Sequence, residues 1–183
     1  MGDQHKYQNV IKEIPATAID IYRMLPEGTR CEVIFNELTM SPSPTPLHQL
    51  LLSDLHALLY YFLKNANIGK VIPSPIDVYL EDKNSVVQPD LIVLLNENLG
   101  KIRNDGIYGP PDIVIEILSR NRSYDTQKKR TLYEQAGVKE YFMIDPDNKK
   151  TTLLTLNASG TYMQTYEETA VLRSEILNLD IKF

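Results

Sequence analysis

Apolar positions along the chain recur with two different periods, and the change between them divides the sequence into elements. Thr17-Ala-Ile-Asp20 reads as a capping box with an aspartate in the glutamate position, leading a brief helix through Ile21 and Met24 that stops before Pro26. Cys31 to Met40 reads as a strand pair or tight hairpin around Phe35-Asn36. The run Ser41-Pro-Ser-Pro-Thr-Pro46 must be extended, because each proline biases its predecessor away from helix. Beyond it Leu47, Leu50, Leu51, Leu55, Leu58, Leu59 and Phe62 recur every three or four residues, which predicts a long helix ending between Asn65 and Gly69.

From Ile76 the period falls to two. Ile76 to Leu80 alternates, Glu81 to Ser85 is a polar turn, and Val86 to Leu95 reads as a second strand whose Pro89 marks a sheet edge, a strand start or a bulge. After a polar connection with room for a short helix, Asp112 to Leu118 is nearly all apolar and β-branched, the pattern of a central strand covered on both faces. A helix from about Tyr124 to Ala136, capped by Gly137, leads to another strand over Glu140 to Asp145. Strand, helix and strand in this order imply a βαβ unit with parallel neighbours. The hairpins on either side make the sheet mixed, and Thr151 to Phe183 adds two or three alternating segments. No repeat or flexible linker divides the chain, so a single domain over residues 1–183 is expected.

Composition excludes more than it assigns. At 43% hydrophobic and 23% charged the chain is an ordinary folded domain, able to bury a core without covalent staples. Its single cysteine, Cys31, excludes an internal disulfide framework and a cysteine-based zinc cluster, and reads as a small buried residue. The start of the chain has no apolar stretch of signal-peptide type, and the longest apolar run, Leu91 to Leu95, is far short of a membrane span. A cytoplasmic location is the expectation. The net charge of −5 argues against a broad basic surface for nucleic acid.

The informative residues are acids inside apolar strands, where an unpaired charge costs several kcal/mol. Asp90 precedes Leu-Ile-Val-Leu-Leu, Glu116 lies between Ile115 and Ile117, and Glu37 precedes Leu38 in the N-terminal hairpin. One such acid is equally explained by a salt bridge or an exposed strand end. Two on paired strands point to a cation between them. Mg²⁺ suits such a site, since it takes one or two carboxylates with waters and substrate phosphates. The backbone carbonyl of Ile117 adds a further oxygen. Such an ion supports hydrolysis of a phosphodiester, and Lys128 or Lys129, on the helix leaving the Glu116 strand, can return to stabilise charge on the phosphate. His48 and His56 are too far apart for a metal pair on adjacent turns and read as boundary residues, with His48 placed to face a cleft. Tyr60, Tyr61 and Tyr133 read as core-edge aromatics. No phosphate-binding glycine loop, dinucleotide fingerprint or G-x-S-x-G motif occurs.

The order of motifs adds a further expectation. Pro89-Asp90-Leu-Ile-Val, Gly109-Pro-Pro-Asp112-Ile-Val-Ile-Glu116-Ile-Leu-Ser119, Asp125-Thr-Gln-Lys-Lys129 and Tyr133 to Pro146 together resemble the Uma2 family of restriction endonucleases, in the PD-(D/E)XK nuclease superfamily. Upstream, Cys31 to Leu38, Ser41-Pro and His48 fit the family's N-terminal segment. The likeness spans roughly Ile19 to Leu156. It implies a restriction-endonuclease-like, mixed α+β fold: a mixed β-sheet flanked by helices, with β-hairpin additions at both ends. It implies Asp90 and Glu116 as catalytic metal ligands for Mg²⁺, with Mn²⁺ as a substitute, and Glu37 as an auxiliary acid. The superfamily's lysine belongs two residues after the acid, where this chain has Leu118; the resemblance places Lys129 in that role, with Lys128 as the alternative. The implied activity is metal-dependent endonucleolytic cleavage of DNA. Arg120, Arg122, Lys128, Lys129 and Arg130 form a local basic cluster for phosphate contacts, with His48 beside the substrate, and a homodimer would double that footprint. The competing reading is a catalytically inactive nuclease-fold module that binds nucleic acid or protein, for which Leu118 in the lysine's place is the best argument.

Overall fold

The structure, a computed structural model, describes residues 15–26, 28–119 and 124–183, and the side chains of all of these except residues 124–126. Helix α1 (Ala18–Met24) begins at the capping box read from the sequence, with Thr17 Oγ1 accepting from the Asp20 amide and Asp20 Oδ2 accepting from the Thr17 amide. Strands β1 (Cys31–Ile34) and β2 (Glu37–Met40) form the expected hairpin. Phe35 and Asn36 both turn through positive φ, 51° and 64°. That conformation is unfavourable for Phe35 and is secured from outside the hairpin: the Phe35 amide donates to Ser85 Oγ and the Asn36 amide to the Asn84 carbonyl, each at 2.9 Å.

Helix α2 (Pro46–Ala66) is the long leucine helix, begun by Pro46 at its first position and ended by Asn67 in the left-handed conformation. Next come β3 (Gly69–Pro73), β4 (Val78–Leu80), β5 (Ser85–Val87) and β6 (Leu91–Leu95). The single strand read over Val86 to Leu95 is therefore two. It breaks at Gln88–Asp90, where Pro89 has no N–H to offer a ladder, and the two halves join different sheets. The polar connection carries a short 3₁₀ helix and the small strands β7 (Ile102–Arg103) and β8 (Gly106–Tyr108).

The βαβ unit is present as read. Strand β9 (Ile113–Ile117) runs parallel to β10 (Glu140–Ile144), joined through a turn of π-helix over Tyr124–Lys129 and helix α3 (Arg130–Ala136), with Gly137 at φ 87° as its cap. The tail supplies four strands, β11 (Lys150–Leu156), β12 (Tyr162–Thr169), β13 (Val171–Ser174) and β14 (Leu179–Lys182), the last two as a separate hairpin.

Among the described residues these strands form two six-stranded mixed sheets. One has the order β2-β1-β5-β4-β8-β7 and the other β12-β11-β10-β9-β6-β3. The fold is thus mixed α+β, with the N-terminal hairpin built into a full second sheet. Strand parity assigns the faces. Ile113, Ile115 and Ile117 of β9 pack with α2 and the β13–β14 hairpin. Val114 points the other way, into a core shared with Ile34, Val87, Leu132 and Tyr141, so the first sheet and α3 cover this face. Helix α1 covers the outer face of the first sheet through Ala18 and Ile19 on Val33 and Val86.

Candidate active site

Glu116 shares the parity of Val114, and so enters the layer between the two sheets although its neighbours are all core. There its Oε1 accepts from Lys129 Nζ at 2.8 Å and from the Tyr133 hydroxyl at 2.7 Å. Lys129 and Tyr133 are four residues apart and share one face of the turn into α3. The same ammonium lies 3.0 Å from Oε1 of Glu32, which β1 delivers from the opposite sheet by the same parity that buries Ile34. All three charged side chains are only 5–6% exposed. Lys129 thus stands as a cation shared by two buried carboxylates, which offsets part of the cost of holding both in a low-dielectric layer. Burial, with the nearby Glu116 carboxylate, drives the Tyr133 hydroxyl far above its ordinary acidity range, so it remains a donor.

Asp90 reaches the same region from the chain's crossing between sheets. Leu91 pairs with Ile115 in the antiparallel ladder, which puts Asp90 level with Glu116 at the sheet end. Its Oδ2 accepts from the Ile117 amide at 2.8 Å, and His48 Nε2 lies 3.1 Å from the same oxygen. His48 stands in the first turn of α2, its amide bound to the capping Thr45 hydroxyl. Burial works against protonating its ring, but the Asp90 carboxylate outweighs this and holds the imidazole above its ordinary value of 6.5.

A network behind these groups fixes Glu32. The Gln88 amide donates to Glu32 Oε1 at 2.8 Å, while the Gln88 side chain donates to Asp77 Oδ1 at 2.9 Å and to the Tyr22 hydroxyl at 3.1 Å. Tyr22 in turn donates to Asp77 at 2.6 Å, tying the network to α1. In front, a cleft of about 590 Å³ opens between the sheet ends, with the extended Ser41–Thr45 segment and Arg30 along it.

Asp90, Glu116, Ile117, Lys129 and His48 all line this one cleft. Glu37 stands apart: its side chain is 69% exposed and engages Lys128 in a surface ion pair. Arg120 and Arg122 lie outside the described residues. Tyr133, read as an edge aromatic, is fully buried and bonded to Glu116. Tyr60 and Tyr61 are 45% and 71% exposed. Glu32 and Gln88 went unread. For Glu32 the signal was present, since an acid between Cys31 and Val33 repeats the Glu116 pattern; Gln88 offered none.

The donor chemistry of the cleft fits a hard divalent cation. Asp90 and Glu116 offer carboxylates at one sheet end, and Ile117 lines the cleft with them. Among the described residues no group of three or more His, Cys, Asp or Glu side chains is placed to hold a metal ion. Mg²⁺ needs no such group, because it keeps waters and shares its shell with substrate phosphate.

Comparison with known proteins places this architecture. A crystal structure of "a putative nuclease belonging to DUF820" from Anabaena variabilis ATCC 29413 matches with a TM-score of 0.73, covering 92% of this chain and 95% of that one at 19% identity, a likeness of fold. No curated protein matches the chain. No helix among the described residues is long and apolar enough to cross a membrane. The family model Uma2, described as "Putative restriction endonuclease", matches residues 19–182, and the chain belongs to this family.

Proposed function

We propose that this protein is a divalent-metal-dependent endonuclease that hydrolyses phosphodiester bonds of DNA. The observation that carries the reading is the position of Lys129. The strand position expected for a catalytic lysine holds Leu118, yet an ammonium from the following helix reaches the strand acid at 2.8 Å, inside the cleft that Asp90 lines. What matters for catalysis is where the charge stands, not which backbone delivers it.

In this reading Asp90, Glu116 and the Ile117 carbonyl hold Mg²⁺, with Mn²⁺ as a substitute. Such an ion, when bound, supplies Lewis acidity at a phosphoryl oxygen and a water of lowered pKa. Lys129 stabilises negative charge gathering on the phosphate. Glu32 keeps the Lys129 ammonium beside Glu116, and Tyr133 fixes the Glu116 carboxylate from behind. The net negative charge of the chain is met at the cleft by Arg30 and Lys129, and the sequence adds Arg120 and Arg122 after the cleft residue Ser119. Cutting both strands of a duplex calls for two such centres, which a homodimer supplies.

One observation favours a second reading, a binding module without catalysis: the Glu116 carboxylate is already engaged by Lys129, which it shares with Glu32. Plasmid cleavage separates the two. The nuclease reading predicts Mg²⁺- or Mn²⁺-dependent nicking that is lost in both Glu116→Gln and Lys129→Ala. Nicking that survives both substitutions, or is absent from the wild type with either metal, refutes it.

A further inference from the structure

The Asp90 carboxylate is held asymmetrically. Both of its hydrogen bonds, from the Ile117 amide at 2.8 Å and with His48 Nε2 at 3.1 Å, fall on Oδ2. Oδ1 has no hydrogen-bond partner among the described residues, and Asp90 lines the cleft. A backbone amide alone leaves a carboxylate able to swing about its χ2 torsion; a second donor from a different element, arriving at the same oxygen, fixes it. That second donor is expensive to keep. His48 is nearly buried, its side chain 12% exposed, and its Nδ1 is buried with no hydrogen-bond partner among the described residues. A buried ring nitrogen left unpaired costs about 1–3 kcal/mol. An apolar residue at this site on α2 would avoid that cost and still pack, so the fold alone gives no reason for an imidazole here.

We propose that His48 is a positioning residue. By donating from Nε2 to Oδ2 of Asp90, it locks the carboxylate so that Oδ1 is presented to the cleft as the metal-binding oxygen. This inference rests on the metal reading of the cleft given above, and changes the part assigned to His48 from contacting substrate to orienting a ligand. Partners of this kind, one bond behind a metal ligand, typically change metal affinity by roughly 10–100-fold when removed.

The test is calorimetric titration of Mg²⁺ and of Mn²⁺ into the full chain and three variants, with thermal unfolding and plasmid-nicking kinetics recorded on each. His48→Leu keeps the volume and removes the donor. His48→Gln restores an N–H donor at the corresponding position, and His48→Ala removes the donor without new bulk should the leucine variant not fold. The expected result is a loss of Mg²⁺ affinity of at least tenfold in the leucine and alanine variants, with the glutamine variant within about threefold of wild type. Wild-type affinity in the folded leucine or alanine variant overturns the inference, as does a glutamine variant as weak as they are. A histidine that touches substrate instead gives that first outcome, with the change confined to KM. Wild-type protein that binds neither Mg²⁺ nor Mn²⁺ refutes the metal reading itself, and the role of His48 with it.

Discussion

Replacing Lys129 by methionine removes one charge from the interior while keeping nearly the same volume, and the consequence can be worked out from the geometry. The ammonium stands 2.8 Å from Glu116 and 3.0 Å from Glu32, and none of the three side chains is more than 6% exposed. Breaking a buried ion pair by removing one member costs about 3–5 kcal/mol. Proton uptake bounds the same quantity, because a carboxylate without its cation escapes by becoming neutral. For a glutamate of ordinary acidity that costs about 3.7 kcal/mol at pH 7 and about 1.6 kcal/mol at pH 5.5. The variant is therefore expected to lose about 3–4 kcal/mol at pH 7 and about half of that at pH 5.5. The sign follows from linkage: an acid held neutral in the folded state has a raised folded pKa, so stability falls as pH rises through it. In a chain of this size the loss lowers Tm by roughly 6–16 °C at pH 7. The assay is urea and thermal unfolding at both pH values. Mg²⁺ at a hundred times its Kd should add up to about 2.7 kcal/mol to whichever of the two proteins binds it. A loss below about 1 kcal/mol, or one that does not shrink at pH 5.5, refutes the view of Lys129 as the shared counter-ion.

Other consequences are simpler. Asp112 is almost wholly buried; burial pushes its carboxyl up, but Lys139 at 2.8 Å, the Leu95 amide and Asn98 hold it below its ordinary value of 3.8. Its contribution is present above that value and fades as pH falls through the lower folded one. The Tm gap between wild type and Asp112→Asn should therefore narrow below pH 4, and a gap unchanged at pH 3 contradicts this. Glu37→Gln touches only an exposed pair and should change unfolding free energy by less than about 0.5 kcal/mol in urea titrations. Leu59→Ala empties a fully buried position on α2 and should cost about 2–5 kcal/mol in the same assay.

What could be read from sequence was whatever leaves a periodic or chemical trace along the chain. The leucine helix, the capping box at Thr17, the tight hairpin around Phe35-Asn36 and the βαβ unit each leave a period or a cap in the local sequence. Asp90 and Glu116 stood out because a charge inside an apolar run needs a partner. Glu32 carried the same signal, but its strand is four residues long and Glu37 in the same hairpin competed for the role; only the pairing of two sheets decides which acid turns inward. The second sheet itself was hidden. Pro89 hinted at a break, but strands of two or three residues such as β4, β5, β7 and β8 are too short to show a period. Partners across the cleft left no trace at all. The hydroxyl of Tyr133 on Glu116 and the ring of His48 on Asp90 join residues 17 and 42 positions apart, and only the fold brings them together.

In the proposed reading the carboxylates of this cleft hold a divalent cation for phosphodiester hydrolysis. Titrating Mg²⁺ and Mn²⁺ calorimetrically into wild type and Asp90→Ala, with plasmid nicking followed on the same samples, addresses it most directly. Metal binding and nicking are expected in the wild type, with both lost in the variant. Binding of equal strength in Asp90→Ala, or none in either protein, contradicts that reading.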